Sequence, residues 1–70
     1  MKEVGVVIDY NGYNGIIKTE NGEQFLLLKE EIVNNEELKK LDYVNFVKEI
    51  YNDPEYTQNI ARFVRKINRK

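Results

Sequence analysis

The chain has 70 residues, a formal net charge of −1, and 41% hydrophobic and 33% charged residues, which predicts one soluble globular domain with a small core. It contains no Cys and no His, which excludes disulfides and thiolate or histidine metal sites. Ser is absent too, which excludes most nucleophile–base pairs, so we expect neither an enzyme, nor a cofactor, nor a bound metal.

No apolar run approaches the roughly 20 residues that a membrane-spanning helix needs. The N-terminal residues lead directly into a strand pattern, without the apolar core of a signal peptide. We therefore expect a cytoplasmic protein with no membrane partner.

The first third of the chain predicts three antiparallel strands, over residues 3–10, 15–18 and 24–28. Val4, Val6 and Ile8 alternate along the first strand, and the third is a short apolar run. Three Asn-Gly steps, Asn11-Gly12, Asn14-Gly15 and Asn21-Gly22, lie between the strands. Asn-Gly favours the positive φ angles of tight hairpin turns.

Residues 29–41 predict a connection with a short helical turn. Asn34 or Asn35 could cap that turn, and acids precede bases as the helix dipole favours. The proposed turn contains Glu36, Glu37, Lys39 and Lys40, with Leu38 and Leu41 on one side. Residues 42–51 then alternate as a fourth strand, in which either phase could face inward. We favour Val44 and Phe46 as its core pair, with a bulge near Val47-Lys48.

A turn at residues 52–55, built on Pro54, precedes a fifth strand over residues 56–64. Ile60 and either Phe63 or Val64 are expected to face inward. Residues 62–70 could instead form a basic helical turn, but their β-branched content favours a strand followed by a tail. The domain prediction is therefore an OB domain over residues 1–64 and a basic tail over residues 65–70.

Five short strands of this kind predict an all-β fold, a small antiparallel barrel of the OB type with a helical turn between strands 3 and 4. Closure into a barrel removes the exposed edges and the bare apolar face that a flat sheet of this size would have.

Charge is distributed unevenly along the chain. Residues 1–61 carry all twelve acids and six lysines, whereas residues 62–70 carry five bases and no acid. The basic tip could bind phosphate, or it could be a solvated chain end.

Residues 5–64 resemble the cold-shock domain family. The family's opening Gly-x-Val strand with its aromatic-Asn pair is similar to Gly5-Val6-Val7-Ile8-Asp9-Tyr10-Asn11. Its first RNA-binding motif, Lys-Gly-Phe-Gly-Phe-Ile, looks like Gly12-Tyr13-Asn14-Gly15-Ile16-Ile17, and its second, Val-Phe-Val-His, looks like Phe25-Leu26-Leu27-Leu28. Framework positions match at Asn21-Gly22, Leu38, Leu41-Asp42, Val44-Asn45-Phe46 and Thr57-Gln58-Asn59-Ile60.

The resemblance implies binding of single-stranded RNA or DNA, although most stacking aromatics of the family are replaced. Asp9 stands where the family has tryptophan, and aliphatic or amide residues stand at four further stacking positions. The candidate binding residues are Tyr10, Tyr13, Asn14, Ile16, Lys18, Leu26, Leu28, Lys29, Arg62 and Arg65.

Two functions follow as hypotheses. The first is weak single-stranded nucleic-acid binding with little sequence preference, in which tyrosines stack on bases and cations contact phosphates. The alternative is a protein-interaction module or homodimer that uses an aliphatic outer face of Ile16, Leu26 and Leu28. A one-residue phase change would instead place both leucines in the core. A third hypothesis places the contact with the partner on the basic tip of residues 62–70.

Overall fold

Five β-strands and two single 3-10 turns form the part of the chain that the computed structural model describes, residues 2–52 and 57–68. The strands are β1 (Lys2–Tyr10), β2 (Asn14–Thr19), β3 (Gln24–Leu28), β4 (Tyr43–Asn52) and β5 (Thr57–Ile67). The turn predicted around Pro54 and the start of a strand at Tyr56 fall on residues 53–56, outside the described residues.

The strands close into a barrel in the order β1-β2-β3-β5-β4, with β4 paired back onto β1. This confirms the small OB-like barrel. The antiparallel prediction holds for every strand pair except β3 and β5, which run parallel where Leu26 pairs with Ile60. The long connection after β3 reverses the chain before β4, so β5, antiparallel to β4, runs in the direction of β3.

The core fills the barrel with ten buried hydrophobic side chains. The predicted pair Val44 and Phe46 belongs to it, and the ring of Phe46 lies 5.0 Å from that of Phe25 at a tilt of 57°. Tilted aromatic pairs at this separation are favourable beyond their area burial. The remaining members are Val7, Ile17, Leu27, Ile32, Leu38, Ala61 and Val64.

A bulge in β1 brings the first hairpin close to its partner strand. The register shifts between Val7 and Asp9, which places Tyr10 opposite Gly15 of β2. A Cβ atom at Gly15 would collide with the carbonyl oxygen of Asp9. Only glycine fits here, because the backbones of the two strands approach too closely for a side chain.

The fifth strand, β5, contains a second bulge and differs from two predictions, the inward orientation of Ile60 and the end of the strand at residue 64. The register with β4 shifts opposite Phe46, and Phe63 takes a left-handed φ of 52°. The extra residue turns Phe63 outward and Val64 into the core, whereas Ile60, predicted to face inward, lies on the outer face beside Leu26. After the bulge, β5 continues to pair with β4 through Ile67. The fifth strand therefore continues three residues beyond its predicted end at residue 64.

The helical turn between β3 and β4 lies earlier than predicted. The 3-10 turns span Lys29–Glu31 and Val33–Asn35, and the asparagines proposed as caps have left-handed φ angles of 60° and 51°. This conformation ends a helical turn instead of starting one. Leu38 is buried as expected, but Leu41 is 71% exposed.

No helix within residues 2–52 and 57–68 has the length and apolar character needed to cross a membrane. The cytoplasmic location stays a prediction.

Candidate nucleic-acid interface

Leu26 and Leu28 lie on the outer face of β3. Phe25 and Leu27, which alternate with them, are 1% and 0% exposed in the core. Side chains of a strand point alternately to opposite faces, so Leu26 and Leu28 point away from the core, and both are half-buried. The alternative that placed them in the core is wrong.

A row of aliphatic side chains crosses this outer face. Ile16 of β2 pairs with Leu26 of β3, which pairs with Ile60 of β5. Directly paired residues share one face of a sheet. Together with Leu28, two positions along β3, these residues form what we call the aliphatic patch. Ile60 was not among the predicted site residues, because its phase depends on the β5 bulge.

The loop between β1 and β2 holds Tyr13 beside the aliphatic patch. The side-chain oxygen of Asn11 accepts hydrogen bonds from the backbone N–H groups of Tyr13 and Asn14, each at 2.9 Å. The Tyr13 carbonyl accepts a further bond from the N–H of Lys29 at 3.0 Å. The loop is thus fixed at both sides, while the Tyr13 ring is 72% exposed.

The side chain of Lys29 places a positive charge over the Tyr13 ring. Its Nζ lies 5.6 Å from the centroid of the Tyr13 ring, within the range of a cation–π contact. Lys18 provides a second exposed cation on the outer face of β2, two residues beyond Ile16. The exposed Asp9, opposite Ile16 on β1, adds a negative charge at the other edge of the face.

Arg62 lies beside the aliphatic patch, but its guanidinium is already occupied. Its Nε lies 2.6 Å from Glu49 and its Nη1 2.6 Å from Glu31. These hydrogen bonds, that of Glu49 first, raise the pKa of Arg62 above its usual value. A phosphate would have to displace a carboxylate from Arg62 in order to bind there.

Arg65 is exposed on a different side of the barrel. It pairs with Asn45 of β4, which pairs with Val4 of β1. Seven predicted residues therefore gather on the outer face of β2 and β3 or at its edge, namely Tyr13, Asn14, Ile16, Lys18, Leu26, Leu28 and Lys29. Arg65 lies apart from them.

Tyr10 forms a wall of a cleft next to this face. The cleft lies between the β1–β2 loop and the β3–β4 connection and has a volume of about 410 Å³. Tyr10 packs against the core, and burial raises the pKa of its phenol. The other lining residues are Gly12, Lys29, Ile32, Asn35, Glu36, Glu37 and Leu38.

Phe63 is an exposed aromatic residue that the sequence did not predict as a site residue. Its side chain is 64% exposed, and its left-handed backbone is costly for a residue with a Cβ atom. An alternating pattern predicts neither the bulge nor the exposure, because the bulge depends on pairing with β4.

The described geometry defines a small OB-like barrel with one mixed aliphatic and basic face. Within residues 2–52 and 57–68 no three acidic side chains lie close enough to hold a metal ion. No protein-family model matches the chain, and no curated protein matches it in sequence.

Proposed function

We propose that the chain binds single-stranded RNA or DNA on the outer face of β2 and β3, without enzymatic activity. The observation that carries the proposal is the Tyr13 ring, 72% exposed on a hydrogen-bonded loop, with Lys29 Nζ 5.6 Å from its centroid. A base can stack on such a ring, and the adjacent lysine can contact its phosphate. The resemblance to cold-shock domains supports the same interpretation.

Weak binding is expected from the composition of this face. Base–aromatic stacking contributes roughly 1–3 kcal/mol per base, and Tyr13 offers one exposed aromatic side chain beside the aliphatic patch. Ile16, Leu26 and Leu28 offer flat apolar contact without hydrogen-bond readout, so little sequence preference follows on this face. If Lys18 and Lys29 each contact one phosphate, log K should fall with log salt with a slope of about −1.4 for a single strand.

A fluorescence-anisotropy titration at low salt with labelled oligo-dT and oligo-U tests this proposal. Saturable binding that weakens with added salt is expected. Tyr13→Phe should retain affinity and Tyr13→Ala should lose about tenfold, the equivalent of one stacked base. Tyr43→Ala, on the β1–β4 side of the barrel, is the matched control and should bind as the parent does. Absence of binding at high micromolar protein would refute the proposal.

The aliphatic patch favours a second candidate, a protein contact or a homodimer. Ile16, Leu26 and Ile60 lie in one cross-strand row on the outer face, and each is half-buried. Apolar patches that remain partly accessible to solvent are typical of protein contacts.

Sedimentation over a concentration series separates the two candidates. If the patch mediates self-association, Leu26→Lys should make the protein monomeric, while Gln24→Lys, on the same strand and face, should not. If the face binds nucleic acid, the added charge of Leu26→Lys should retain or raise oligonucleotide affinity. A parent protein that is monomeric at all concentrations removes the homodimer.

A further inference from the structure

The cleft beside the outer face has apolar walls and a polar rim. Its apolar part comes from the Tyr10 ring and from the buried side chains of Ile32 and Leu38. Its volume of about 410 Å³ lies within the range of about 300–1,000 Å³ that small-molecule sites occupy. A planar ring that stacks on Tyr10 would therefore have one of its apolar faces covered by that side chain.

The rim offers one fixed and two available polar groups. Glu36 is fixed, since its Oε1 accepts the backbone N–H of Lys66 at 3.0 Å. Glu37 and Asn35 are exposed on the same rim and have no hydrogen bond or ion pair within residues 2–52 and 57–68. Glu37 offers a carboxylate with two acceptor oxygens, and the Asn35 amide offers a donor.

This pattern of groups selects among the nucleobases. The Watson–Crick edge of guanine carries two adjacent N–H donors followed by the O6 acceptor. A carboxylate can accept from both donors at once, and an amide can donate to O6. Adenine, cytosine and uracil each present a ring acceptor or a single donor at the corresponding positions, which would leave the carboxylate facing an acceptor.

Charge determines which part of a nucleotide can enter. Glu36 and Glu37 make part of the cleft lining negative, which repels a phosphate, whereas Lys29, which also lines the cleft, is positive and contacts Tyr13. A strand that crosses the outer face past Tyr13 would keep its phosphate at Lys29 and could turn its next base into the cleft.

We infer that this cleft is a guanine pocket, in which the base stacks on Tyr10 and its Watson–Crick edge contacts Glu37 and Asn35. The inference rests on the proposed nucleic-acid binding and adds a base preference to it. The outer face binds strands with little preference, and the cleft selects one guanine per bound strand.

The test compares labelled thymidine strands of about ten nucleotides, a length within the range that an OB domain covers. Each strand carries one central guanine, inosine or adenine. Guanine should bind about tenfold tighter than adenine, as expected for a bidentate pair. Inosine, which lacks the 2-amino donor, should lose most of that preference. Glu37→Gln should make the three strands equal, and Glu30→Gln, an exposed acid outside the cleft, should leave the preference unchanged.

The possible failures can be told apart. Equal affinity for guanine and adenine, or a guanine preference that survives Glu37→Gln, overturns the guanine pocket and leaves the proposed function standing. If no strand binds, the proposed function fails, and guanosine monophosphate then tests the cleft alone. Amide NMR shifts at Gly12, Asn35 and Leu38 with this nucleotide, but not with adenosine monophosphate, support the pocket; their absence overturns it.

Discussion

Arg62 of β5 and Glu49 of β4 form a two-bond ion pair, with Nε 2.6 Å from Oε2 and Nη2 3.1 Å from Oε1. The remaining guanidinium nitrogen, Nη1, bonds to Glu31 in the β3–β4 connection. One side chain therefore joins the β4–β5 hairpin to the connection that follows β3.

We expect Arg62→Lys to lower stability, because a lysine ammonium cannot make both parallel bonds to Glu49 while it also reaches Glu31. Arg62→Met should lower it further by removing the charge and leaving both carboxylates unpaired. Urea denaturation at low and high salt measures the free energy of unfolding of each variant. Added salt should reduce the difference in this free energy between the parent and Arg62→Met, because salt screens the ion pairs. Lys40→Met, which replaces an exposed base with no ion pair to a described residue, is the control. Equal stability of Arg62→Met and the parent would contradict the prediction.

Gly15→Ala should destabilise the barrel by about 3 kcal/mol, at the upper end of the usual cost of overpacking. The new Cβ would meet the Asp9 carbonyl oxygen and the Tyr10 backbone, neither of which can move without breaking the β1–β2 pairing. A domain of this size has a total stability of roughly 5 kcal/mol, so about 2 kcal/mol would remain and the variant should stay mostly folded. Urea denaturation followed by far-ultraviolet circular dichroism should show a much lower midpoint than that of the parent.

Gly12→Ala provides the comparison for Gly15→Ala. A Cβ at Gly12 meets nothing within 4 Å, but the φ of 95° is unfavourable for alanine, so a cost of about 1 kcal/mol is expected. Equal effects of the two substitutions would show that the close approach at Gly15 costs no more than the backbone strain at Gly12, and would contradict the prediction.

Phe63→Gly should raise the free energy of unfolding by roughly 0.5–1 kcal/mol. Glycine relieves the left-handed conformation at φ 52°, and this gain exceeds the entropy that glycine adds to the unfolded chain. The melting temperature should rise by about 3–5 °C. Val4→Gly, at an exposed position in regular strand, should instead lower it. A loss of stability in Phe63→Gly would mean that contacts of the ring outweigh the strain.

Stability should fall as the pH rises above about 10, in part through Tyr10. Burial raises the pKa of its phenol above the ordinary value of 10.0, so the folded state holds this proton more tightly than the unfolded state does. The protonated Tyr10 phenol therefore contributes to the free energy of unfolding. This contribution is complete at pH values below the pKa of Tyr10 in the unfolded state, and it is lost as the pH rises through the pKa of Tyr10 in the folded state.

Urea denaturation between pH 8 and 11, compared for the parent and Tyr10→Phe, tests this linkage. The parent should lose more stability over this range than Tyr10→Phe. A parallel loss in the parent and Tyr10→Phe would assign the alkaline effect to other groups.

Local sequence signals predicted the barrel well where neighbouring residues determine the structure. Two of the three Asn-Gly steps form turns, with Gly12 and Gly22 at φ 95° and 90°, because Asn-Gly favours those angles. The third, Asn14-Gly15, lies in β2, where the close approach of β1 requires glycine. The alternation of apolar and polar residues also identified Val44 and Phe46 as core residues, because successive side chains of a strand point to opposite faces of the sheet. Likewise, the aliphatic outer face follows from the phase of Phe25-Leu26-Leu27-Leu28 once Phe25 is in the core.

The two bulges, by contrast, depend on partner strands. The phase of β5 changes at Phe63, where its register with β4 shifts, so that Val64 is buried while Ile60 lies on the outer face. Pairing with β4 then continues to Ile67. Likewise, the guanidinium of Arg62, predicted to contact phosphate, is bonded to two carboxylates. One of them, that of Glu31, is 31 positions away in sequence. Such contacts exist only after the barrel closes.

By itself, the sequence determined an all-β barrel, its turns and most of its core, because turn chemistry and hydrophobic alternation act over a few residues. Only the tertiary structure decided which cations remain available, that Ile60 completes the aliphatic patch, and that Tyr10 lines a cleft with Glu37 and Asn35. These features arise from strand register and from the path of the β3–β4 connection, where residues distant in sequence are brought together by closure of the barrel.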